Sequence, residues 1–238
     1  MDKAEFSRTS KAMERTVIVI GATGGIGLPL YNKYLWHLCD VNNQDLKTVM
    51  GTSREAPGYL DVTMPETIEV FASLLEDDPN IQIINCVGIN YNSVIEKSDY
   101  DKWRDVIEVN LIGSYNLLKA FTPIMKQQGY GRFMFMSSVA EKGLYGTSAY
   151  SASKAGLEGL VKSAAKELLK YNITVNALRL GYFNAGLISD VPKRVLEKEV
   201  YSSTVGQLCD PTNLYGLIEG VFGCEDITGS VISVDRGV

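Results

Sequence analysis

The feature that most constrains this chain is an apolar strand that runs directly into a glycine-rich turn and then into a helix. Residues 16–21 (TVIVIG) form the strand, residues 21–27 (GATGGIG) the turn, and residues 28–38 the predicted helix. A short apolar, β-branched run is typical of a strand buried on both faces of a sheet. Glycine permits positive φ and lets backbone amides approach a pyrophosphate beside the positive end of the helix dipole. The segment favours a phosphate-binding loop over a glycine-rich turn without a ligand.

The alternation of strands and helices continues along the chain. Further strands are predicted at residues 46–53, 58–62, 81–87, 132–136, 173–180 and 230–235, and further helices at residues 65–75, 100–128, 148–171 and 211–222. This alternation indicates βαβ units with right-handed crossovers. The expected fold is α/β: a Rossmann-type, doubly wound parallel sheet of about seven strands with helices on both faces, in three α/β/α layers. We expect a single domain over residues 1–238, with a loose N-terminal arm at residues 1–15.

Composition excludes several functional classes. The chain has 28 acidic and 23 basic residues, and its net charge of −5 offers no general attraction to nucleic acid or anionic lipid. Its four cysteines lie far apart without CxxC spacing, so we expect neither a metal site nor a disulfide framework. No run approaches the roughly 18 apolar residues that a membrane span needs. We therefore expect a cytoplasmic protein that acts on a small molecule, with no nucleic-acid or membrane partner.

A tyrosine and a lysine four residues apart form the strongest chemical signal. On the predicted helix at residues 148–171, Tyr150 and Lys154 lie one turn apart on the same face. A lysine ammonium beside the phenol is expected to lower the pKa of Tyr150, which would let it act as a general acid or base. Lys154 is also placed to hydrogen-bond a nicotinamide ribose. Taken alone, the spacing is common and far more often marks an exposed polar face than a catalytic pair.

In combination, these motifs resemble the short-chain dehydrogenase/reductase family. The spacing of Gly21, Gly25 and Gly27 and the YSASK segment at residues 150–154 follow that family's pattern, and the resemblance extends over residues 16–238. It implies a nicotinamide-dependent oxidoreductase that moves a hydride between the cofactor and a carbonyl/alcohol pair. The active-site residues that it implies are Asn110, Ser138, Tyr150 and Lys154.

Each of these four residues has a role implied by the resemblance. Tyr150 would exchange a proton with the substrate oxygen, and Ser138 would hold that oxygen and stabilise its developing negative charge. Asn110 would support a water-mediated proton relay to Lys154. Ser138 lies twelve residues before Tyr150, about one fewer than is usual in the family, and its Ser-Val-Ala context favours it over Ser137.

The resemblance also implies a set of cofactor-binding residues. Asp61 matches the acid that usually contacts the adenine ring. Leu180 and Ala185 stand where the family commonly has a proline and a carboxamide-binding threonine, and these departures concern nicotinamide anchoring more than catalysis. The implied cofactor-binding residues are Gly21, Thr23, Gly24, Gly25, Ile26, Gly27, Asp61, Val62, Asn85, Gly88, Tyr150, Lys154, Gly181 and Phe183.

The end of the second predicted strand indicates which dinucleotide is preferred. An acidic residue there suits the ribose 2′-hydroxyl of NAD, and a basic residue suits the 2′-phosphate of NADP. Ser53 and Arg54 occupy this place, and the arginine offers a planar charged fork for phosphate. We expect NADP(H) to be preferred, with NAD(H) possible. The alternative is a solvated surface arginine.

The substrate is less constrained than the chemistry. We expect a keto or secondary-alcohol substrate, as in the family's bacterial 3-oxoacyl-thioester reductases. The alternatives are a sugar, steroid or alcohol dehydrogenase with the same chemistry, and a non-catalytic dinucleotide-sensing or scaffold protein. Residues 182–203 are interpreted as a substrate lid whose charge run is a solvated helix face. The resemblance further implies a homotetramer or homodimer.

Overall fold

The computed structural model describes residues 14–38, 46–52 and 60–237, and within them it contains one parallel sheet of six strands. The strands are β1 (Arg15–Ile20), β2 (Leu46–Thr52), β3 (Ile81–Asn85), β4 (Gly131–Ser138), β5 (Ile173–Leu180) and β6 (Val231–Val234). They lie in the order β2-β1-β3-β4-β5-β6, and every neighbouring pair is parallel. The predicted Rossmann-type α/β fold is confirmed.

Helices cover both faces of the sheet. They are α1 (Gly27–Leu38), α2 (Pro65–Ser73), α3 (Tyr100–Ile107), α4 (Gly113–Gln128), α5 (Ser148–Leu168), α6 (Lys193–Leu196) and α7 (Leu214–Phe222). Ile18 and Ile20 of β1 are buried against α2, α4 and α5, whereas Val17 and Val19 are buried against α1 and α7. The two apolar cores give the three expected layers. None of the helices in the described part of the chain has the length and apolar character needed to cross a bilayer.

The predicted strand at residues 58–62 is wrong where the structure describes it, so the described sheet has six strands rather than seven. The carboxylate of Asp61 accepts hydrogen bonds from the amide of Thr63 at 3.0 Å and from its hydroxyl at 2.8 Å, which closes a turn before α2. Leu60 and Val62 are buried in the same core. The strand-like alternation therefore comes from a turn that directs two apolar side chains into one core.

The long helix predicted at residues 100–128 is interrupted by a π-helix at Glu108–Ile112. The amide of Asn110 lies in this wide turn and bonds the backbone of Ile89 in both directions, as acceptor at 2.9 Å and as donor at 3.0 Å. After the turn, α4 begins at Gly113, where a Cβ would lie 2.6 Å from a methyl carbon of Val62. Apolar spacing alone does not reveal such a break, because the core-facing residues continue on both sides of it.

The order in which successive strands are added to the sheet reverses between β1 and β3. The chain passes from β1 to β2 on one side and then crosses to β3 on the other side of β1. Parallel sheets of this kind bind ligands in the crevice beyond the carboxyl ends of the two strands at such a switch. Gly21 follows β1 at this edge and Gly88 follows β3. The predicted arm at residues 1–15 falls outside the described residues up to residue 13, and Arg15 begins β1.

Candidate active site

A cleft of about 950 Å³ opens at the switch point between β1 and β3. Its wall is formed by the loops that follow β1, β3, β4 and β5, together with the first turns of α5. The structure brings nine of the sequence-predicted site residues to this wall: Gly24, Gly25, Ile26, Gly88, Ser138, Tyr150, Lys154, Gly181 and Phe183. The active-site helix and the glycine-rich loop thus face one cavity, as a ligand bound across the switch point requires.

The glycine-rich loop is folded too tightly for side chains. Gly21 has a φ of +80°. A Cβ on Gly27 would overlap the carbonyl oxygen of Gly21. A Cβ on Gly25 would overlap the backbone of Gly186, so the loops after β1 and β5 are in direct contact. Gly21, Thr23 and Gly27 shape the loop but do not lie on the cleft wall.

Lys154 is buried at the base of the cleft. Its side chain is 3% exposed, and its ammonium donates a 2.7 Å hydrogen bond to the carbonyl of Met136 near the end of β4. Burial lowers the pKa of Lys154 to about 8, and the nearby Cys86 thiol opposes that shift. An ammonium with such a pKa changes its charge close to neutral pH.

Tyr150 lies above Lys154, with the lysine nitrogen 5.4 Å from the centre of its ring. Burial raises the pKa of Tyr150, and a hydrogen bond with Ser138 works against that rise. The expected lowering of this pKa by Lys154 is therefore wrong, because the phenol is desolvated and the ammonium directs its hydrogen bond to Met136. Tyr150 consequently holds its proton at neutral pH.

The two serines at the end of β4 have different partners. Ser138 ends the strand, accepts a 3.2 Å hydrogen bond from the amide of Ala140 and contacts Tyr150. The buried hydroxyl of Ser137 instead donates to the carboxylate of Glu158 at 2.8 Å. Successive residues of a strand point to opposite faces, which separates the two hydroxyls. The geometry therefore favours Ser138 as the serine that meets a ligand beside Tyr150.

Asn110 is 1% exposed and lies behind the cleft wall. Besides binding Ile89, its amide donates a 3.0 Å hydrogen bond to the hydroxyl of Ser153, next to Lys154 on α5. A Cβ on Gly88 would lie 3.5 Å from both the amide oxygen of Asn110 and the nitrogen of Lys154. Asn110 thus ties the loop after β3 to the active-site helix at the level of Lys154.

Several predicted cofactor residues lie away from the wall. The carboxylate of Asp61 binds Thr63, and Val62 is in the core. The amide of Asn85 donates to the Ser114 hydroxyl at 3.2 Å, and its oxygen accepts from the amide of Val87 at 3.1 Å, so Asn85 fixes the turn after β3. Ser53 and Arg54 lie outside the described residues.

The loop after β5 provides the opposite wall of the cleft. Gly181 lies against β6, where a Cβ would be 2.7 Å from the Cα of Asp235. Phe183 is buried and forms an isolated parallel bridge with Cys209. Leu180 and Ala185, the two departures from the family pattern, both lie on the wall. Ala185 contributes a methyl group there and no hydroxyl.

A buried ion cluster behind the site has no counterpart in the sequence prediction. The carboxylate of Glu158, 5% exposed, accepts bonds of 3.0 and 2.6 Å from the guanidinium of Arg179. Arg179 also lies 3.2 Å from Glu141. Burial acts to raise the pKa of Glu158, but the bonds from Arg179 and Ser137 outweigh it and lower the pKa. The one available signal was that Glu158 follows Lys154 by a helical turn on the same face.

Sequence reasoning also missed part of the cleft wall. Leu144 and Tyr145 reach it from a loop between Gly143 and Gly146, whose φ values are +90° and +78°. Cys86 and Val87 also lie on the wall, as do the charged Arg194, Lys198 and Glu199 of the segment interpreted as a solvated face. Within the described ranges, no group of His, Cys, Asp and Glu residues is arranged to hold a metal ion.

Comparisons with known proteins agree with this geometry. A sequence profile described as short chain dehydrogenase matches residues 15–195. The chain is 27% identical to the short-chain reductase protein NovJ of Streptomyces niveus, over 95% of this chain and 94% of that protein. It is 35% identical to an acetoacetyl-CoA reductase of Rhizobium meliloti over 65% of this chain and 66% of that protein. It is 29% identical to the 3-oxoacyl-(acyl-carrier-protein) reductase FabG of Thermotoga maritima, over 84% of this chain and 85% of that protein.

Proposed function

The chain belongs to the short-chain dehydrogenase family and is an oxidoreductase that uses a nicotinamide dinucleotide on carbonyl or alcohol groups; from this premise we propose that it is an NADPH-dependent ketoreductase with Tyr150 as its proton donor. The observation that carries the proposal is the convergence of Tyr150, Ser138 and Lys154 on the cleft that also holds the glycine-rich loop. A proton donor and a dinucleotide site must share one cavity in such a reaction.

The residues of the cleft fit a dinucleotide. Gly24 and Gly25 present backbone without side chains to the cavity at the N-terminus of α1, where amides and the helix dipole suit a pyrophosphate. Gly88 leaves the space beside Lys154 open, and Gly181 and Phe183 border the cavity on the other side. These residues would hold the cofactor together with Ile26. When bound, the reduced nicotinamide supplies the hydride.

The protein's own groups would handle the proton and the charge. Tyr150 donates its phenolic proton to the carbonyl oxygen of the substrate, and its raised pKa keeps that proton available at neutral pH. Ser138 donates a hydrogen bond to the same oxygen and stabilises the negative charge that develops on it. Lys154 supplies a buried positive charge beneath the phenol, and Asn110 would support the relay that returns a proton.

The preference for NADP(H) rests on Arg54 and Ser53, at the end of the second strand in the sequence. A guanidinium matches the 2′-phosphate with two parallel hydrogen bonds. An Arg54→Ala variant should lose most of the difference in affinity between NADPH and NADH. Unchanged NADPH affinity in that variant would overturn the preference but not the reaction. Asp61 is proposed to contact the adenine ring, with Val62 and Asn85 supporting the same side of the site.

The proposed substrate is a 3-oxoacyl thioester or a related ketone. The names of two relatives, an acetoacetyl-CoA reductase and a 3-oxoacyl-(acyl-carrier-protein) reductase, support this class. We further propose that residues 182–203 form the substrate lid of a single domain, and that the protein is a cytoplasmic homotetramer or homodimer. Tyr115 on α4 is about half exposed, which suits an interface built on the long helices.

The direct experiment is a titration with NADPH and with NADH, followed by nicotinamide fluorescence, and then turnover of acetoacetyl-CoA at saturating cofactor. We expect tighter binding of NADPH and oxidation of NADPH only when the ketone is present. A preference for NADH would keep the reaction and overturn the role of Arg54. Binding of neither dinucleotide would favour a scaffold protein, and binding without turnover of any ketone would favour a dinucleotide sensor.

A further inference from the structure

The segment after β5 carries three cations that differ in their ionic partners. Lys193 lies 4.0 Å from the carboxylate of Glu197, and Lys198 lies 2.8 Å from that of Glu199. Among the residues that the structure describes, Arg194 has no acidic partner within 4 Å. Within the described ranges, its guanidinium is the cation of this segment that lies near no carboxylate.

Arg194 also lies in a different place from its neighbour. Arg194 and Val195 line the cleft that holds Tyr150 and Ser138, whereas Lys193 does not. Consecutive residues of a helix point roughly 100° apart, so α6 places Arg194 at the rim of the cavity and Lys193 outside it, and both side chains remain solvent-exposed. The unmatched charge is therefore on the substrate side of the enzyme.

Apart from Asp190, Lys198 and Glu199, the wall beside Arg194 carries apolar side chains. Leu144 and Tyr145 contribute from the loop after β4, and Ile188, Val191 and Val195 contribute from the segment after β5. Tyr145 is 86% exposed, so its ring is available to a ligand. A hydrocarbon or aromatic body placed against these side chains gains apolar contact.

Two carboxylates share the wall, and neither neutralises Arg194. Glu199 is paired with Lys198. Asp190 accepts a 3.4 Å hydrogen bond from the hydroxyl of Ser189 and forms no ion pair with Arg194. An anion in the cleft can therefore bind the guanidinium of Arg194 without displacing a carboxylate of the wall.

We infer that the substrate is an amphipathic ketone whose anionic group, a carboxylate or a phosphate, binds Arg194 while its apolar body lies along Tyr145 and Ile188. The inference rests on the proposed function, because it assumes that the carbonyl lies beside Tyr150. A guanidinium binds either anion through two parallel hydrogen bonds.

The test measures NADPH-dependent turnover of three ketones with the same apolar chain, which ends in a carboxylate, a phosphate or a methyl ester. For Arg194→Ala, the KM of the anionic ketones should rise about ten-fold and that of the ester should not change, because a charged hydrogen bond is lost. Arg194→Lys should recover part of the loss, since it keeps the charge but not the fork. Added salt should raise the wild-type KM for the anionic ketones alone. The carboxylate and phosphate arms identify which anion is preferred.

Lys193→Ala is the matched control, because it removes a cation from the same helix turn outside the cleft, and its KM values should equal those of the wild type. Equal KM values for Arg194→Ala and the wild type on the anionic ketones would overturn the inference. A loss of kcat on all three ketones would also overturn it, since Arg194 would then support the lid rather than the ligand. Reduction of all three ketones without preference would leave the proposed function standing, whereas reduction of none would overturn both.

Discussion

The two sides of the cleft are held in place in different ways. On the side of β4 and α5, Lys154 and Glu158 are buried, and each is hydrogen-bonded to the last residues of β4. On the side that follows β5, most of residues 186–205 are exposed, and the amide of Asn92 reaches the carbonyl of Asp190 at 3.3 Å. The difference indicates that the chemistry is organised by the core, where geometry is costly to change. Substrate selection lies on a surface that can change without disturbing that core.

The largest effect is expected from Lys154→Met on the buried side. Removing the ammonium should lower kcat about 10³-fold, in the range of general acid–base effects. The same change should stabilise the fold, because the pKa of Lys154 is lowered from 10.5 to about 8. Below the folded pKa the buried charge destabilises the protein fully, and this cost disappears as the pH rises toward the unfolded value.

Denaturant unfolding of Lys154→Met and wild type at several pH values checks this prediction. The free energy of unfolding of the variant should exceed that of the wild type by about 1–3 kcal/mol below pH 8, after allowance for the lost hydrogen bond to Met136. The gap should close as the pH approaches 10.5. A gap that does not depend on pH would show that Lys154 is not desolvated as the structure describes.

Glu158→Gln should have the next largest effect. It removes a buried charge that binds Arg179 and Ser137, and Glu141 remains as a partner for the arginine. We therefore expect a loss of about 2 kcal/mol in the free energy of unfolding, below the cost of breaking a fully buried pair. Because the pKa of Glu158 is lowered, its contribution is fully present above the ordinary value of 4.5 and is lost as the pH falls.

Thermal and denaturant unfolding at neutral and acid pH measure this effect. Glu167→Gln on the exposed face of α5 is the control, and it should stay within about 0.5 kcal/mol of the wild type. The difference between Glu158→Gln and wild type should shrink as the pH falls below the ordinary glutamate pKa. Equal stability of the two glutamine variants at neutral pH would contradict a stabilising role for the buried carboxylate of Glu158.

The smallest effect is expected from Asn92→Ala on the exposed side. The long contact with Asp190 should contribute less than about 0.5 kcal/mol to stability. Substrate KM should rise a few-fold because the segment after β5 is less often closed, while kcat at saturation should stay constant. Steady-state kinetics and thermal unfolding of the same preparation measure the change in KM and the change in stability. A stability loss as large as that of Glu158→Gln would mean that both sides of the cleft are equally part of the core.

The sequence predicted the buried side well because its signals are local. β-branched runs identified β1, β3 and β5, and the spacing of Tyr150 and Lys154 identified the active-site helix. A strand was wrongly predicted at residues 58–62, because Leu60 and Val62 alternate as in a strand although both enter the same core from a turn. The π-helix around Asn110 was hidden because the apolar pattern passes through it unchanged.

Two features of the cleft were poorly predicted for a physical reason, one on its buried side and one on its exposed side. The pairing of Glu158 with Arg179 joins residues that are 21 positions apart, and nothing in either local sequence specifies it. The charge run that contains Arg194 has the composition of a solvated helix face, and only the direction of α6 separates Arg194 from Lys193. Such features depend on how loops return to the sheet, and short-range patterns do not encode this.

The most direct test of the division between chemistry and selection is the single-turnover rate of NADPH oxidation at saturating ketone, compared between Tyr150→Phe and Arg194→Ala. We predict that Tyr150→Phe slows this rate about 10³-fold with unchanged NADPH affinity, whereas Arg194→Ala reaches the wild-type rate once the ketone is saturating. Turnover of Tyr150→Phe at the wild-type rate would contradict the account, because the buried side of the cleft would then not supply the proton.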